Sequence, residues 1–183
     1  MIKFIVFLFV ILRREFGRFK YFEKLNGLFK DCYFPETMII VGPLPNLKLD
    51  KNVRFGHFSY LHLGGETWSI AQGSLEIGSD GNLSSHCVIY AAGPEGVRIG
   101  KNFDCAPGVK IYSSRSFFED GQTKHIFGKV HIGDNVIVYS NVVIGPNVVI
   151  GDNVSIAANS VVTKDLIEPG LYGGAPAVKL KPF

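Results

Sequence analysis

Charge is scarce in this chain. Lys and Arg together number 19 and Asp and Glu 16 in 183 residues, a formal net charge of +3. Nucleic-acid binding ordinarily needs a strongly basic face, so that class is set aside, whereas one anionic cofactor is compatible. Cysteine is also scarce, with only Cys32, Cys87 and Cys105. They form no CxxC pair and no spaced framework, so neither a zinc site nor a disulfide scaffold is expected, and a reducing, cytoplasmic setting fits. No GxGxxG stretch marks a dinucleotide fold. The longest apolar run, Met1 to Leu12, is too short to cross a bilayer as a helix. Its main cluster of basic residues follows it, opposite to a secretory signal.

The chain does contain a repeat. From Ile132 to Val162 it divides into sixes: IGDNVI, VYSNVV, IGPNVV, IGDNVS, IAANSV, then Val162. An aliphatic residue leads each hexad, at 132, 138, 144, 150, 156 and 162. Asn fills the fourth place throughout, and Val the fifth in four hexads. A period of six is neither helical nor simple strand alternation. It describes a β-solenoid in which each hexad is a short strand plus a turn and three hexads close one triangular coil. The leading aliphatics stack inward, and Gly, Asn and Asp supply corners that need positive φ.

The repeat resembles that of the hexapeptide-repeat acyltransferases, and within them the acetyltransferases of sugars, capsular polysaccharides and O-antigens. Ser160-Val-Val-Thr-Lys-Asp165 and Tyr172-Gly-Gly-Ala-Pro-Ala-Val-Lys179 are similar to the closing motifs of that family. The resemblance implies a mainly β fold, a left-handed parallel β-helix. It also implies acetyl-CoA as acyl donor, a saccharide or lipid-linked saccharide acceptor, a homotrimer and no metal. Handedness comes from the resemblance alone, because parallel crossovers are ordinarily right-handed.

Three segments are expected. Residues 1–48 read as an apolar, helical segment and linker. Residues 49–166 carry the β-helix, and 167–183 form a tail. Within the first segment, Phe16, Phe19, Phe22, Leu25 and Phe29 recur at helical spacing. Residues 1–20 either pack on protein or contact a membrane surface peripherally, with Arg13, Arg14, Arg18 and Lys20 facing anionic lipid. Inside the β-helix the phase breaks at Gly64–Ser74, which carries the one tryptophan, Trp68, and again at Ala91–Val97. Ile111 and Ile132 are 21 residues apart, not a multiple of six, so a loop leaves the coil near 113–129. Such insertions often carry function.

By the resemblance, a histidine on or beside that loop takes the proton of the acceptor. Imidazole, with a pKa near 6.5, suits a weakly acidic hydroxyl at neutral pH. Relatives read roughly I-Y-T-x-x-H as the loop begins. Here Ile111-Tyr-Ser-Ser-Arg-Ser116 places Ser116 where that histidine is expected. His125, on the same excursion, is the leading candidate base, with Glu119 or Asp120 to orient its ring. His86 is the second and His131 the third. His57 and His62 read as surface or interface groups. For the cofactor, the resemblance points to Ser140, Ala158 and Thr163 along the pantetheine and Lys164 on a phosphate.

Three alternatives stay open. One is N-acetylation of a nucleotide-linked amino sugar. Another is a degenerate, non-catalytic solenoid. The third is a metal-dependent solenoid of the γ-type carbonic anhydrase kind, using His86, His125 and His131.

Overall fold

The computed structural model describes residues 19–183. The apolar run and the arginines that follow it, with Phe16, lie outside the described residues. One helix, over residues 19–28, precedes the coils; it buries Phe22 and Leu25 and leaves Phe19 exposed. Phe34 continues this contact, stacking on Phe55 of the first coil at 5.4 Å between ring centroids. Of the described part of the apolar stripe, Phe22 and Leu25 are core, Phe29 is half-buried against it and Phe19 is exposed. Among the described residues no helix is long and apolar enough to cross a membrane.

The remainder is mainly β, a left-handed parallel β-helix of three sheets. Face one holds Leu47–Leu49, Leu75–Ile77, Val97–Ile99, Val130–Ile132 and Val148–Ile150. Face two holds Arg54–Phe55, Asn82–Leu83, Asp104–Cys105, Ile137–Val138, Val154–Ile156 and Gly170–Gly173. Face three holds Ile39–Val41, Tyr60–His62, Val88–Tyr90, Lys110–Tyr112, Val143–Ile144 and Val161–Val162. The chain visits the faces in that order, coil after coil. Parallel pairing reaches back to Tyr33 with Arg54 and forward to the strand Gly170–Gly173. The tail closes the end, Val178–Lys181 turning back antiparallel on Gly170–Gly173.

The hexad explains the coil. Its leading residues stack into three buried columns, among them Ile77, Ile99, Ile132 and Ile150 on face one and Leu61, Ile89, Ile111, Ile144 and Val162 on face three. The fifth-place valines Val136, Val142, Val148 and Val154 are fully buried as well, so each of these hexads contributes two inward side chains. Cys87 and Cys105 belong to this core as free thiols, their sulfurs 3.5 Å apart in adjacent coils. The fourth-place asparagines turn the corners. Asn135, Asn141, Asn147, Asn153 and Asn159 all have φ between 57° and 60°. Asparagine tolerates this left-handed conformation at lower cost than most residues. At the corner between faces one and two these amides also bond along the axis, Asn102 to Asn135 at 2.8 Å and Asn135 to Asn153 at 3.1 Å.

The 113–129 excursion leaves the coil as expected, but it is regular. Ser114–Glu119 and Gln122–Phe127 form an antiparallel hairpin. Asp120 and Gly121 at its tip both have positive φ, the requirement of a tight two-residue hairpin turn.

Candidate active site

Two segments leave the coils from the same edge of face three. The first follows Tyr60–His62 and carries a short 3-10 turn, Thr67–Ser69. The second is the hairpin, which follows Lys110–Tyr112. His62, Tyr90 and Tyr112 share one register position on successive coils. Both excursions therefore start beside the same column of side chains and converge over it.

The result is a continuous train of rings. Phe127 lies 6.4 Å from His125, and His125 lies 5.2 Å from Trp68. Trp68 is 5.1 Å from His62, and His62 stacks on Tyr90 at 5.0 Å with planes 3° apart. Tyr90 then contacts Tyr112 at 5.6 Å. A groove of about 450 Å³ opens along this train, lined by Trp68, Tyr90, Tyr112, Ser114, Arg115, Ser116 and His125. That is within the usual size of small-molecule sites, about 300–1,000 Å³.

His125 and Ser116 face each other across the hairpin, with Ser116 Oγ 3.0 Å from His125 Nδ1. A serine hydroxyl can accept Nδ1–H, and in that tautomer Nε2 keeps a free lone pair. Trp68 and Phe127 both pack against the imidazole, so it is held by packing as well as by the bond. Glu119, expected as an orienting group, instead pairs with Lys124 at 2.6 Å near the hairpin tip. The residue standing in place of the expected histidine is thus the partner of His125.

His62 overturns the expectation of a surface group. It is 4% exposed, between Trp68 and Tyr90, and its Nδ1 accepts the Gly64 N–H at 3.2 Å. Burial lowers its pKa, against a smaller opposing pull from Glu66. Tyr112 is pushed the other way, its pKa raised by burial and then by Tyr90, so its phenol stays protonated and available as a donor.

The other sequence candidates fall on two lines. His86, Ser140 and Ala158 occupy the corner between faces two and three, where His86 has φ 59° and packs on Phe58 at 5.2 Å. Thr163 and Lys164 are exposed at the opposite edge of face three, the edge from which the His125 hairpin springs, two coils further on. His131 is exposed on face one, in register with Arg98. His86, His125 and His131 thus stand on different parts of the chain surface, and among the described residues no group of three ligating side chains is gathered.

Sequence reasoning missed Trp68, Tyr90 and Tyr112 as groove residues. A signal was present. The place after the inward aliphatic is small in four of the five regular hexads, Gly133, Gly145, Gly151 and Ala157, with Tyr139 on face two the exception. On face three of the earlier coils it is His62, Tyr90 and Tyr112.

Residues 129–164 match the family described as bacterial transferase hexapeptide (six repeats). No curated protein matches the chain by sequence. Among solved structures, a point mutant of AntD, an N-acyltransferase from Bacillus cereus in complex with dTDP and coenzyme A, shares the fold. Its TM-score is 0.73 at 23% identity, over 87% of this chain and 88% of that one. A galactoside acetyltransferase in complex with coenzyme A superposes with TM-score 0.62 at 26% identity, over 74% and 64% of the two chains. A hexapeptide-repeat acetyltransferase from Vibrio cholerae O1 biovar eltor, complexed with acetyl-coenzyme A, gives 0.52 at 27% identity over 70% and 69%.

Proposed function

We propose that this chain is an acetyl-CoA-dependent acetyltransferase that acts on a saccharide hydroxyl, with His125 as general base. The observation that carries the proposal is the held imidazole. Ser116 engages Nδ1, two aromatic rings pack against the imidazole, and His125 lines a groove of ligand size, which in this reading Nε2 faces. The reaction balances on that atom. Nε2 takes the hydroxyl proton as the oxygen bonds to the thioester carbonyl carbon; the carbon–sulfur bond then breaks, and the leaving thiolate recovers the proton from the imidazolium. The step as written calls for no metal.

Coenzyme A or acetyl-CoA accompanies both the galactoside acetyltransferase and the Vibrio cholerae acetyltransferase, which supports acetyl-CoA as the donor. Ser140 and Ala158 on one edge of face three, with Thr163 and Lys164 on the other, are the proposed contacts for its pantetheine and a phosphate. Two separated lines fit a homotrimer in which each donor groove uses one edge from each of two copies. His86, on the Ser140 edge, is the second candidate base and would then serve the neighbouring copy's groove. The proposed organisation keeps three segments, 1–48 as an N-terminal segment, 49–166 as the β-helix and 167–183 as a tail, with the parallel strands Ile39–Val41, Leu47–Leu49 and Gly170–Gly173 extending the coils past both ends of the middle one. Surface polysaccharide biosynthesis, of capsule or O-antigen, is the proposed setting, with a lipid-linked acceptor met at a membrane surface through residues 1–20.

N-acylation is the second reading, favoured by the fold shared with AntD, an N-acyltransferase. Against it, the groove lining holds Arg115 and no carboxylate to receive an ammonium group. The test is calorimetric titration of the full chain with acetyl-CoA, followed by turnover with neutral and amino sugars. Saturable binding, and His125-dependent acetylation of neutral sugars, is the expected result. Absence of acetyl-CoA binding overturns the proposal.

A further inference from the structure

The two excursions that meet over the groove leave the body two coils apart, after Tyr60–His62 and after Lys110–Tyr112. Neighbouring strands lie about 4.8 Å apart, so roughly 10 Å separates the two roots. The coil between them, that of Val88–Tyr90, breaks phase at the same corner, over Ala91–Val97. This third break has no part in the groove lining, yet Ala91, Ala92 and Gly93 are buried. It is bonded to both excursions.

Toward the Trp68 excursion, Gly93 N–H donates to the Gln72 carbonyl at 2.9 Å and Ser74 N–H to the Ala91 carbonyl at 3.1 Å, an antiparallel bridge of Gly73 with Ala92. Toward the hairpin the contact is Ser113, fully buried just before the first hairpin strand. Its N–H donates to the Tyr90 carbonyl at 2.9 Å, and its hydroxyl lies 2.7 Å from the Ala92 carbonyl and 2.9 Å from that of Tyr90. The second hairpin strand is held at the same place. A Cβ on Gly93 would stand 2.6 Å from Phe127 Cδ1 and 2.7 Å from its Cβ and Cγ, so Phe127 rests on bare backbone. Gly93 also has φ 89°, which a side chain disfavours. Phe127 in turn packs against His125.

We propose that Gly93 and Ser113 are positioning residues for the base: the 91–97 break is the spacer that sets His125 against Trp68. This rests on His125 as general base and names what holds it in place. Ser113 ties the first hairpin strand down on Ala92. The bare backbone of Gly93 seats Phe127 of the second strand, and the Gly93 N–H ties that seat to the Trp68 excursion. Moving any one of these shifts the imidazole relative to the indole, and a displacement of about 1 Å at a reacting group costs on the order of 100-fold in rate.

Trp68 is the one tryptophan of the chain, and an imidazolium in contact quenches indole emission, so emission followed against pH reads the Trp68–His125 contact. His62 touches the same ring; the part of the pH-dependent change that disappears in His125→Ala belongs to His125. The experiment takes full-length wild type, Ser113→Ala and Gly93→Ala, each with and without His125→Ala. It follows emission against pH, calorimetric binding of acetyl-CoA, and thiol release from acetyl-CoA with methyl glucopyranoside as acceptor. Ser113→Ala should lose most of the His125-dependent quenching and lower kcat roughly 2- to 10-fold, the equivalent of one hydrogen bond, with acetyl-CoA affinity unchanged. Gly93→Ala should lose more in both. Neither should lower kcat further once His125 is absent. Ile132→Ala, a truncation in the face-one core column, is the control for lost stability and should keep the quenching. If Gly93→Ala does not fold, Ser113→Ala decides alone. The proposal is overturned if Ser113→Ala keeps the wild-type quenching, or if it lowers kcat as much without His125 as with it. Wild-type turnover in His125→Ala defeats the base assignment instead; the emission titration needs no turnover and separates the two failures.

Discussion

Ser116→Ala should lower kcat without altering acetyl-CoA affinity. The substitution removes one hydroxyl, 3.0 Å from His125 Nδ1, and nothing of the ring packing. A hydrogen bond of this kind is worth about 0.5–1.5 kcal/mol net, and Ser116 is exposed, so water replaces part of it. Converted through the transition-state relation, that is roughly a 2- to 10-fold loss in kcat. Trp68 and Phe127 still pack against the imidazole, which keeps the loss below that of removing the base. His125→Ala should cost about 10²–10⁴-fold, the usual range for a general base. The assay is steady-state thiol release from acetyl-CoA at saturating acceptor, from mildly acidic to mildly alkaline pH. The double variant decides between orientation and structure, because Ser116→Ala should add nothing once His125 is absent. If Ser116→Ala is as harmful without His125 as with it, the serine does not act through the imidazole and the reasoning fails.

Three further outcomes follow from the same structure. His62 has a lowered pKa when folded, so the unfolded chain binds its proton first; the stabilisation is complete above the ordinary histidine value of 6.5 and is lost as pH falls below it. Urea unfolding of His62→Gln should accordingly show a shallower loss of stability on acidification through that range than the wild type. Ile132→Ala, in the fully buried face-one column, should destabilise by about 2–5 kcal/mol in denaturant titrations, and a smaller loss would mean the coils repack around the gap. Asn135→Val puts a β-branched residue at φ 57° and cuts two axial amide bonds; a cost of about 1–2 kcal/mol from the backbone alone is expected, with Asn135→Gly milder in the same thermal melt.

The phase of the repeat is enough to write the coils from sequence. It places Ile77, Leu83, Ile89, Ile99, Cys105 and Ile111 inward because a solenoid repeats one environment at fixed intervals, and all six are buried. The fourth-place asparagines announce the left-handed corners for the same reason, since a local backbone requirement is met by a local residue choice. Breaks in phase locate both excursions, because extra residues cannot stay in register with the coil below.

What the excursions do emerges only in three dimensions. Trp68 and His125 stand far apart along the chain, and nothing local states that they meet. They meet because both excursions leave the same edge of face three, beside His62, Tyr90 and Tyr112. The burial of His62 and the pairing of Ser116 with His125 are likewise contacts between segments, set by loop direction and hairpin register. The repeating frame is therefore legible in the residue order, because its stabilising contacts recur with its period. Of the candidate site only the 113–129 excursion and His125 are legible there, because the rest depends on side chains that only the closed coils bring together.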